Sequence, residues 1–570
     1  MTVEKLITDH IDIWSSALQT RSTAGRGSNG KIDLYGIKKL RELILELAVR
    51  GKLVPQDPND EPASELLKQI AKEREELVKS KAIRKPKALE KIAITNTPFD
   101  LPDGWEWCYL NDIGDWGAGA TPSRSNSKYY NGDIPWFKSG ELSSDFISES
   151  EESITELALQ ECSLRDNKVG DVLIAMYGAT IGKTSILNVR GTTNQAVCAC
   201  TPYSGISNIY LITLLKAYKR VFIGMGAGGA QPNISREKLI ATVFALPPQN
   251  EQKRIIHKVD ELMSLCDQLE QQSLNRLDAH QQLVETLLAT LTDSQNAEVL
   301  AENWARISLH FDTLFTTEVS IDALKQTILQ LAVMGKLVPQ DPNDEPASEL
   351  LKRIEQEKAQ LVKEGKIKKQ KPLPPVSDEE KSFELPDGWE WTTMQGLYPE
   401  FQNGLSSRGS SSGKDSVVIR LADIKNWKVS FADTRAIAIT DSEKQKYCLD
   451  KNDILIVRVN GSADIVGGFV LYDDDQNVCY CDHFIRLRLP YKRVIDENYL
   501  ILVASSPLIR RKINNLFITT AGQKTVNQTH ISSLLFPLPP YKEQKCIVAR
   551  VNELFSLCEQ LKLRLQSAHQ

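Results

Sequence analysis

"GKLVPQDPNDEPASELLK" spans residues 51–68, and the same eighteen letters return at 335–352. A second phrase, LPDGWEW, stands at 101–107 and again at 385–391, also 284 positions downstream. The stretch joining the two phrases therefore has one length in both copies, which marks duplicated architecture. A third element, LPPQNEQKRIIHKVDELMSLCDQLE from Leu246, matches LPPYKEQKCIVARVNELFSLCEQLK from Leu538 at an offset of 292, so eight extra residues fall between Trp391 and Leu538. Each half reads as helical segment, linker, LPDGWEW, divergent block, LPP and long helix. The frames match, whereas the blocks 108–245 and 392–537 look almost unrelated.

The frame has a legible physical chemistry. Ile37, Leu40, Ile44 and Leu47 recur at helical spacing. Gly51 and the proline-rich PQDPNDEP stop that helix, and Ser64 or its neighbours open another through ELLKQIAKEREELVK. After LPP, Ile547, Val551, Leu554, Cys558, Leu561 and Leu565 step by four and three, the spacing of a coiled-coil seam. Ile255, Val259, Leu262, Cys266 and Leu269 hold the equivalent places. A helix from about 249 to 290 would be roughly 60 Å long at ~1.5 Å per residue. Two matched seams predict two long helices that pair as an antiparallel coiled coil about a pseudo-twofold axis. The other arrangement has each helix packing on its own domain.

The blocks alternate β-like runs (DVLIAMY, NQAVCAC, DILIVRV, HFIRLRL) with helical pieces (IYLITLLKAYKRVF, NYLILVASSPLIRRKI) joined by Gly- or Ser-rich loops. The fold class is α+β, with two globular domains on a duplicated helical frame. The expected division is an N-terminal helix and flexible linker (1–30), a first frame segment (31–100), recognition domain 1 (101–245) and a central long helix (246–292). A linker and second frame segment (293–384), recognition domain 2 (385–537) and a C-terminal long helix (538–570) follow.

At 570 residues the chain exceeds one core, and 41% hydrophobic with 25% charged residues is an ordinary globular composition. The sequence contains no apolar run of membrane-span length, and the acidic, amphipathic MTVEKLITDHIDIW is unlike a signal peptide, so a cytoplasmic protein is expected. The net charge of −5 argues against polyanion binding by the whole surface but leaves room for a local basic face. Residues 392–537 carry 18 Lys+Arg against 15 Asp+Glu, and 108–245 carry 12 against 13. The ten cysteines include two i, i+2 pairs, Cys198/Cys200 and Cys479/Cys481, which read as buried small hydrophobes on strands; no metal site is expected.

Catalytic motifs fail on inspection. GATIGKTS at 178–185 resembles a phosphate loop, but Tyr177 stands where the first glycine belongs. LPPY at 538–541 resembles the [DN]PP[YF] of amino methyltransferases, yet Leu538 replaces the polar residue, leaving a Pro-Pro helix start. The seven histidines are scattered. The sequence supports no catalysis of its own.

LAVRGKLVPQ and LAVMGKLVPQ, the LPDGWEW lead-in and the LPPxxEQ passage into a long helix closely resemble the specificity subunit of type I restriction-modification enzymes. The resemblance covers nearly the whole chain and is weak only inside the two blocks. It implies two target-recognition domains, each reading one half of a split, asymmetric double-stranded DNA site, on a frame that docks two modification (methyltransferase) subunits. Two restriction (motor/nuclease) subunits complete the complex. S-adenosylmethionine, ATP and Mg²⁺ are then used by the partners and no cofactor by this chain. Half-sites about one helical turn apart, ~34–36 Å, suit two readers on rigid helices. The alternative is a tandem-domain adaptor binding proteins or glycans.

Sequence is read at base edges, where Arg suits guanine and Asn or Gln suits adenine, while phosphate contacts position the protein. Polar residues on loops and strand ends are the candidates. In the first domain these are Ser123, Arg124, Lys138, Ser139, Tyr177, Thr180, Lys183, Asn194 and Gln195. In the second they are Arg408, Arg420, Lys425, Arg458, Asn460, Ser462, His483 and Arg486. Gln231 and Gln523 match across the offset of 292 beside Gly-rich loops, with Asn233 and Asn527 nearby.

Overall fold

The apolar stripe Ile37, Leu40 and Ile44 is buried on helix α1 (Tyr35–Val49), and Leu47 is half-buried. In the computed structural model the described residues are 5, 9–17, 19–21, 31–86, 88–92, 97–226, 232–365, 376–406, 413–490, 494–520 and 522–568. Part of the linker expected within 1–30 thus lies outside the described residues. The chain divides into two units, Met1–Gln19 with Asp33–Leu274, and Thr20–Ile32 with Asn275–Gln570.

In the first unit α1 gives way to Gly51, whose φ of +63° suits glycine and whose place admits no side chain, since a Cβ would lie 2.5 Å from Pro102 and 3.0 Å from Trp105. Helix α2 (Ala63–Lys79) starts one residue before Ser64 and buries Ala63, Leu66 and Ile70. Its Ala63 N–H donates to Gly104 O at 2.8 Å. Helix α3 (Gln249–Thr292) brings Glu251 to the same place. The Trp105 indole donates to Glu251 Oε2 (3.0 Å), and the Gln56 amide donates to Glu251 Oε1 (3.0 Å) and to Gly51 O (2.8 Å). The three repeated phrases therefore meet in one polar knot.

The second unit ties the same knot between helices α4 (Glu318–Val333), α5 (Ala347–Lys363) and α6 (Tyr541–Ala568). Gly335 has φ +69° with Pro386 2.4 Å from a notional Cβ. Trp389 donates to Glu543 Oε2 (3.0 Å), and Gln340 donates to Glu543 Oε1 (3.1 Å) and to Gly335 O (2.7 Å). The doubled phrase is spelled twice because each half closes its frame with the same hydrogen bonds. Glu251 is 1% exposed, and burial pushes its carboxyl above the usual range while its two donors pull the other way; Glu543 behaves alike.

The residues after each knot form a neck. Glu106–Tyr109 pairs antiparallel with Val243–Leu246, and Glu390–Thr393 with Leu535–Leu538. The inbound and outbound strands of each block are neighbours, so a block can differ without displacing its frame. The first block holds a five-stranded sheet in the order Gly114–Ala118, Val197–Pro202, Val172–Ala175, Thr184–Leu187, Phe146–Ile147. The second holds Glu400–Asn403, Phe484–Arg488, Ile454–Val457, Phe469–Leu471. Middle strands such as Val172–Ala175 and Ile454–Val457 are buried throughout, which explains their unbroken apolar runs.

Both seams are largely buried. Ile255, Val259, Leu262, Cys266 and Leu269 are buried on α3, where Arg41 of α1 reaches Asp267 and Glu270, each at 2.7 Å. Ile547, Val551 and Cys558 of α6 are buried, and Leu554, Leu561 and Leu565 pack on the same core. Lys325 of α4 pairs with Glu559, and Asp322 with Lys562 at 2.5 Å, so α4 runs along α6. GATIGKTS links the antiparallel strands Val172–Ala175 and Thr184–Leu187, a setting unlike that of a phosphate loop. Leu538 ends a strand and α6 begins at Tyr541, as a Pro-Pro helix start requires. Both cysteine pairs are buried.

Candidate nucleic-acid interface

At one end of the first block's sheet, main-chain hydrogen bonds gather several loops into a single patch. Ala120 N–H donates to Thr193 O (3.0 Å), Asn194 N–H to Phe137 O (3.0 Å), Met176 N–H to Ala196 O (2.8 Å) and Ile234 N–H to Met176 O (2.9 Å). These bonds bring together Ser123, Arg124, Lys138, Ser139, Tyr177, Thr180, Lys183, Asn194, Gln195 and Asn233. Gln231 lies outside the described residues.

The side chains there divide by what holds them. Asn194 Oδ1 accepts from Ala196 N–H at 3.1 Å, so this amide shapes the turn. Gln195 is exposed and bonded to the Thr121 hydroxyl. Tyr177 is 38% exposed, its backbone bridged to Asn233, and Thr180 Oγ1 donates to Tyr177 O at 2.7 Å. The Ser123 hydroxyl meets that of Ser125 at 2.8 Å, and Lys183 Nζ reaches Gly140 O at 3.4 Å.

Arg124 lies over the rings of Tyr130 (4.7 Å) and Trp136 (5.2 Å) and pairs with Glu152 at 2.5 Å. Lys138 reaches the same carboxylate at 2.6 Å. Arg124 first, then Lys138, holds the Glu152 carboxyl down at about 2. The two cations of this corner thus share one anion.

In the second block Arg458 N–H donates to His483 O (2.7 Å) and Val526 N–H to Arg458 O (2.9 Å), while Asn460 pairs with Lys524 across strands. Arg458, Asn460, Ser462, His483, Gln523 and Asn527 are thereby assembled. The Arg458 guanidinium donates to Asp482 O at 3.2 Å, Asn460 Oδ1 accepts from Ser462 N–H at 2.8 Å, and His483 Nδ1 lies 3.3 Å from Asp482. Gln523 is exposed beside Gly522, and Asn527 Oδ1 caps a short helix by accepting from His530 N–H at 2.9 Å.

Three second-domain candidates are placed otherwise, and Arg408 lies outside the described residues. Arg420 grips Asp423 at 3.0 and 2.8 Å and donates to Asp433 O at 2.6 Å, so its guanidinium is spent on a turn. Arg486 is 7% exposed, on a strand with a partner on either side, and donates inward to Cys448 O at 3.3 Å. Lys425 stands on the hairpin Ile424–Val429, outside the main-chain bonds that assemble the patch. Sequence reasoning passed over Thr121 and Glu152, which fold into the first patch against Gln195 and Arg124.

The two blocks carry one main-chain ladder under unlike sequences. Asn194 N–H to Phe137 O recurs as Cys481 N–H to Ile419 O, both at 3.0 Å. Met176 N–H to Ala196 O recurs as Arg458 N–H to His483 O, and Ile234 N–H to Met176 O as Val526 N–H to Arg458 O. Ala120 N–H to Thr193 O recurs as Leu405 N–H to Tyr480 O. Lys138 N–H bonds the Glu141 carboxylate just as Arg420 N–H bonds that of Asp423. Equivalent places on this ladder therefore hold Lys138 and Arg420, Met176 and Arg458, Gln195 and Asp482, Ala196 and His483.

The profile of the family described as "Type I restriction modification DNA specificity domain" matches residues 102–279 and 415–567, one match in each half. Across 100% of this chain and 98% of the relative, the sequence is 47% identical to the type I restriction enzyme EcoAI specificity subunit of Escherichia coli. The chain belongs to the specificity subunits of type I restriction enzymes. The EcoEI specificity subunit, also of Escherichia coli, is 46% identical over the same shares. A solved structure titled for complex assembly and conformational transition of the type I R-M system aligns at 15% identity and TM-score 0.46, covering 83% of this chain and 95% of that one.

As a specificity subunit this chain is the non-catalytic DNA-recognition component, and its partners are modification and restriction subunits and DNA. The adaptor alternative gains no support from these relatives. No helix among the described residues is long and apolar enough to cross a membrane.

Proposed function

We propose that this specificity subunit reads a split, asymmetric site on double-stranded DNA, the first domain taking one part and the second the other. The frame docks two modification subunits, and two restriction subunits join them in the cytoplasm. Those partners use S-adenosylmethionine, ATP and Mg²⁺, and this chain uses no cofactor.

The carrying observation is the shared ladder with unlike side chains upon it. A constant backbone that offers Gln195 and Tyr177 in one domain, and His483, Asn460 and Gln523 in the other, suits readers of different base edges. Within the first patch Ser123, Arg124, Lys138, Ser139, Thr180, Lys183, Asn194 and Asn233 support that contact by charge and shape. Arg458, Ser462 and Asn527 do so in the second.

A gel shift on a pool of random duplexes, with and without purified modification subunit, tests this reading. Selection of a two-part motif is expected, and retardation without sequence preference in either case would remove it. The isolated chain should neither methylate nor cut DNA.

A further inference from the structure

One exposed aromatic side chain in the second domain is used by none of the readings above. Residues 424–429 form a hairpin in which Ile424 faces Val429 and Lys425 faces Lys428. The two residues at its turn, Asn426 and Trp427, have φ of +49° and +58°. Two successive left-handed residues make the tight turn whose twist suits a hairpin. Asparagine tolerates that conformation, whereas a bulky residue with φ above zero is an outlier that needs a reason.

Packing supplies only part of the reason. A Cβ added to Gly468 would lie 2.2 Å from the Trp427 ring, so one part of the indole rests on that glycine's backbone. The side chain is still 48% exposed. Lys425, Asn426 and Lys428 around it are exposed too, and no ion pair to either lysine is seen among the described residues. This differs from Arg124 and Lys138, which share Glu152.

The hairpin is also held in place. Its base follows the turn that Arg420 locks through Asp423 and Asp433, and Ser430 N–H donates to Asp423 O at 2.8 Å. Arg420 is thus a positioning residue. The tip lies beside the recognition patch, because Gly468 O accepts from Val457 N–H at 2.9 Å, next to Arg458 on the same strand-to-loop path.

We propose that the Lys425–Lys428 hairpin is a second duplex-contacting element of this domain. The two lysines take backbone phosphates, and the open part of the Trp427 ring packs on a nucleotide at the groove edge. The inference rests on the DNA reading given above and adds to it a contact outside the patch. Two cations flanking a rigidly presented indole match a polyanion whose phosphates line the groove and whose sugars offer apolar C–H surface between them.

The test uses the full chain in complex with its modification subunits and a labelled duplex carrying the mapped site. W427A should weaken binding by about ten-fold, the scale of one lost aromatic contact, and W427F should restore part of it. W427G removes the indole while favouring the positive φ, so it separates lost contact from lost folding; its affinity should fall as in W427A. The double variant K425A/K428A should lower the slope of log affinity against log salt by about 2.

Wild-type affinity in both W427A and W427G, with an unchanged salt slope in the lysine variant, would overturn the proposal. So would a W427A chain that loses its modification subunits on size exclusion, since the indole would then be a protein contact. A wild-type complex that selects no duplex would instead sink the DNA reading itself, and this inference with it.

Discussion

The first recognition domain keeps the cations of its patch occupied, and the second sends its arginines inward and leaves lysines open. Arg124 and Lys138 share Glu152, whereas Arg420 is bound to Asp423, Arg486 is buried, and Lys425 and Lys428 stand exposed. Yet the same main-chain bonds hold Asn194 to Phe137 and Cys481 to Ile419. The difference teaches that the ladder and the surface it carries are separate inheritances of the fold. Backbone bonds fix where a side chain can stand, and the identity of that side chain is free where it faces outward, as at Gln195 and Asp482.

The knots offer the strongest way to break this comparison, since they should be interchangeable where the patches are not. Glu251→Gln or Glu543→Gln leaves one of two buried donors facing an amide N–H, at about 1–3 kcal/mol each. Denaturant titration should find the two singles alike and the double near their sum; one silent variant would mean the knots differ. The sign with pH is also set. A buried carboxyl whose folded pKa is raised contributes stability that is present at low pH and lost as pH rises through that raised value. The gap between wild type and either variant should therefore narrow from mildly acidic to neutral pH, and a gap that widens over that range would contradict it.

Next in size are the patches themselves. Gln195→Ala and His483→Ala should each relax one part of the recognised site, by about 1–3 kcal/mol per lost base contact. Selection on randomised duplexes reads this out; relaxation in the same half by both variants would join what is held here to be separate. The smallest effect is expected at Glu152→Gln, which frees Arg124 and Lys138. Non-specific binding should strengthen, with a salt slope steeper by about 1–2. Fluorescence anisotropy on an unrelated duplex decides it, and weaker binding would make Glu152 an aid to Arg124 instead of a competitor for it.

The frame was readable from sequence because repetition and punctuation both survive there. Gly51 and Gly335 end their helices where the chain needs positive φ and has no space for a side chain, and the apolar stripe of α1 is the one its spacing announces. The seams were legible as spacing, and the structure adds ion pairs that tie α1 to α3 and α4 to α6 beside them. Inside the blocks sequence reasoning picked loops that folding brings together, but could not tell which way a cation turns. Arg486 sits on an interior strand and Arg420 serves a local turn, and neither fate is written in neighbouring residues. Glu152 was invisible because its partner Arg124 is brought to it by folding, from 28 positions away.

The independence of the two readers is tested most directly by exchanging residues 108–245 for the matching block of a relative and mapping the methylated sequence of the reconstituted complex. The inbound and outbound strands of the block are paired neighbours, Tyr109 opposite Val243, so the frame should accept the exchange. The expected result is a new sequence in one half of the site and the old one in the other. A change in both halves together would contradict it.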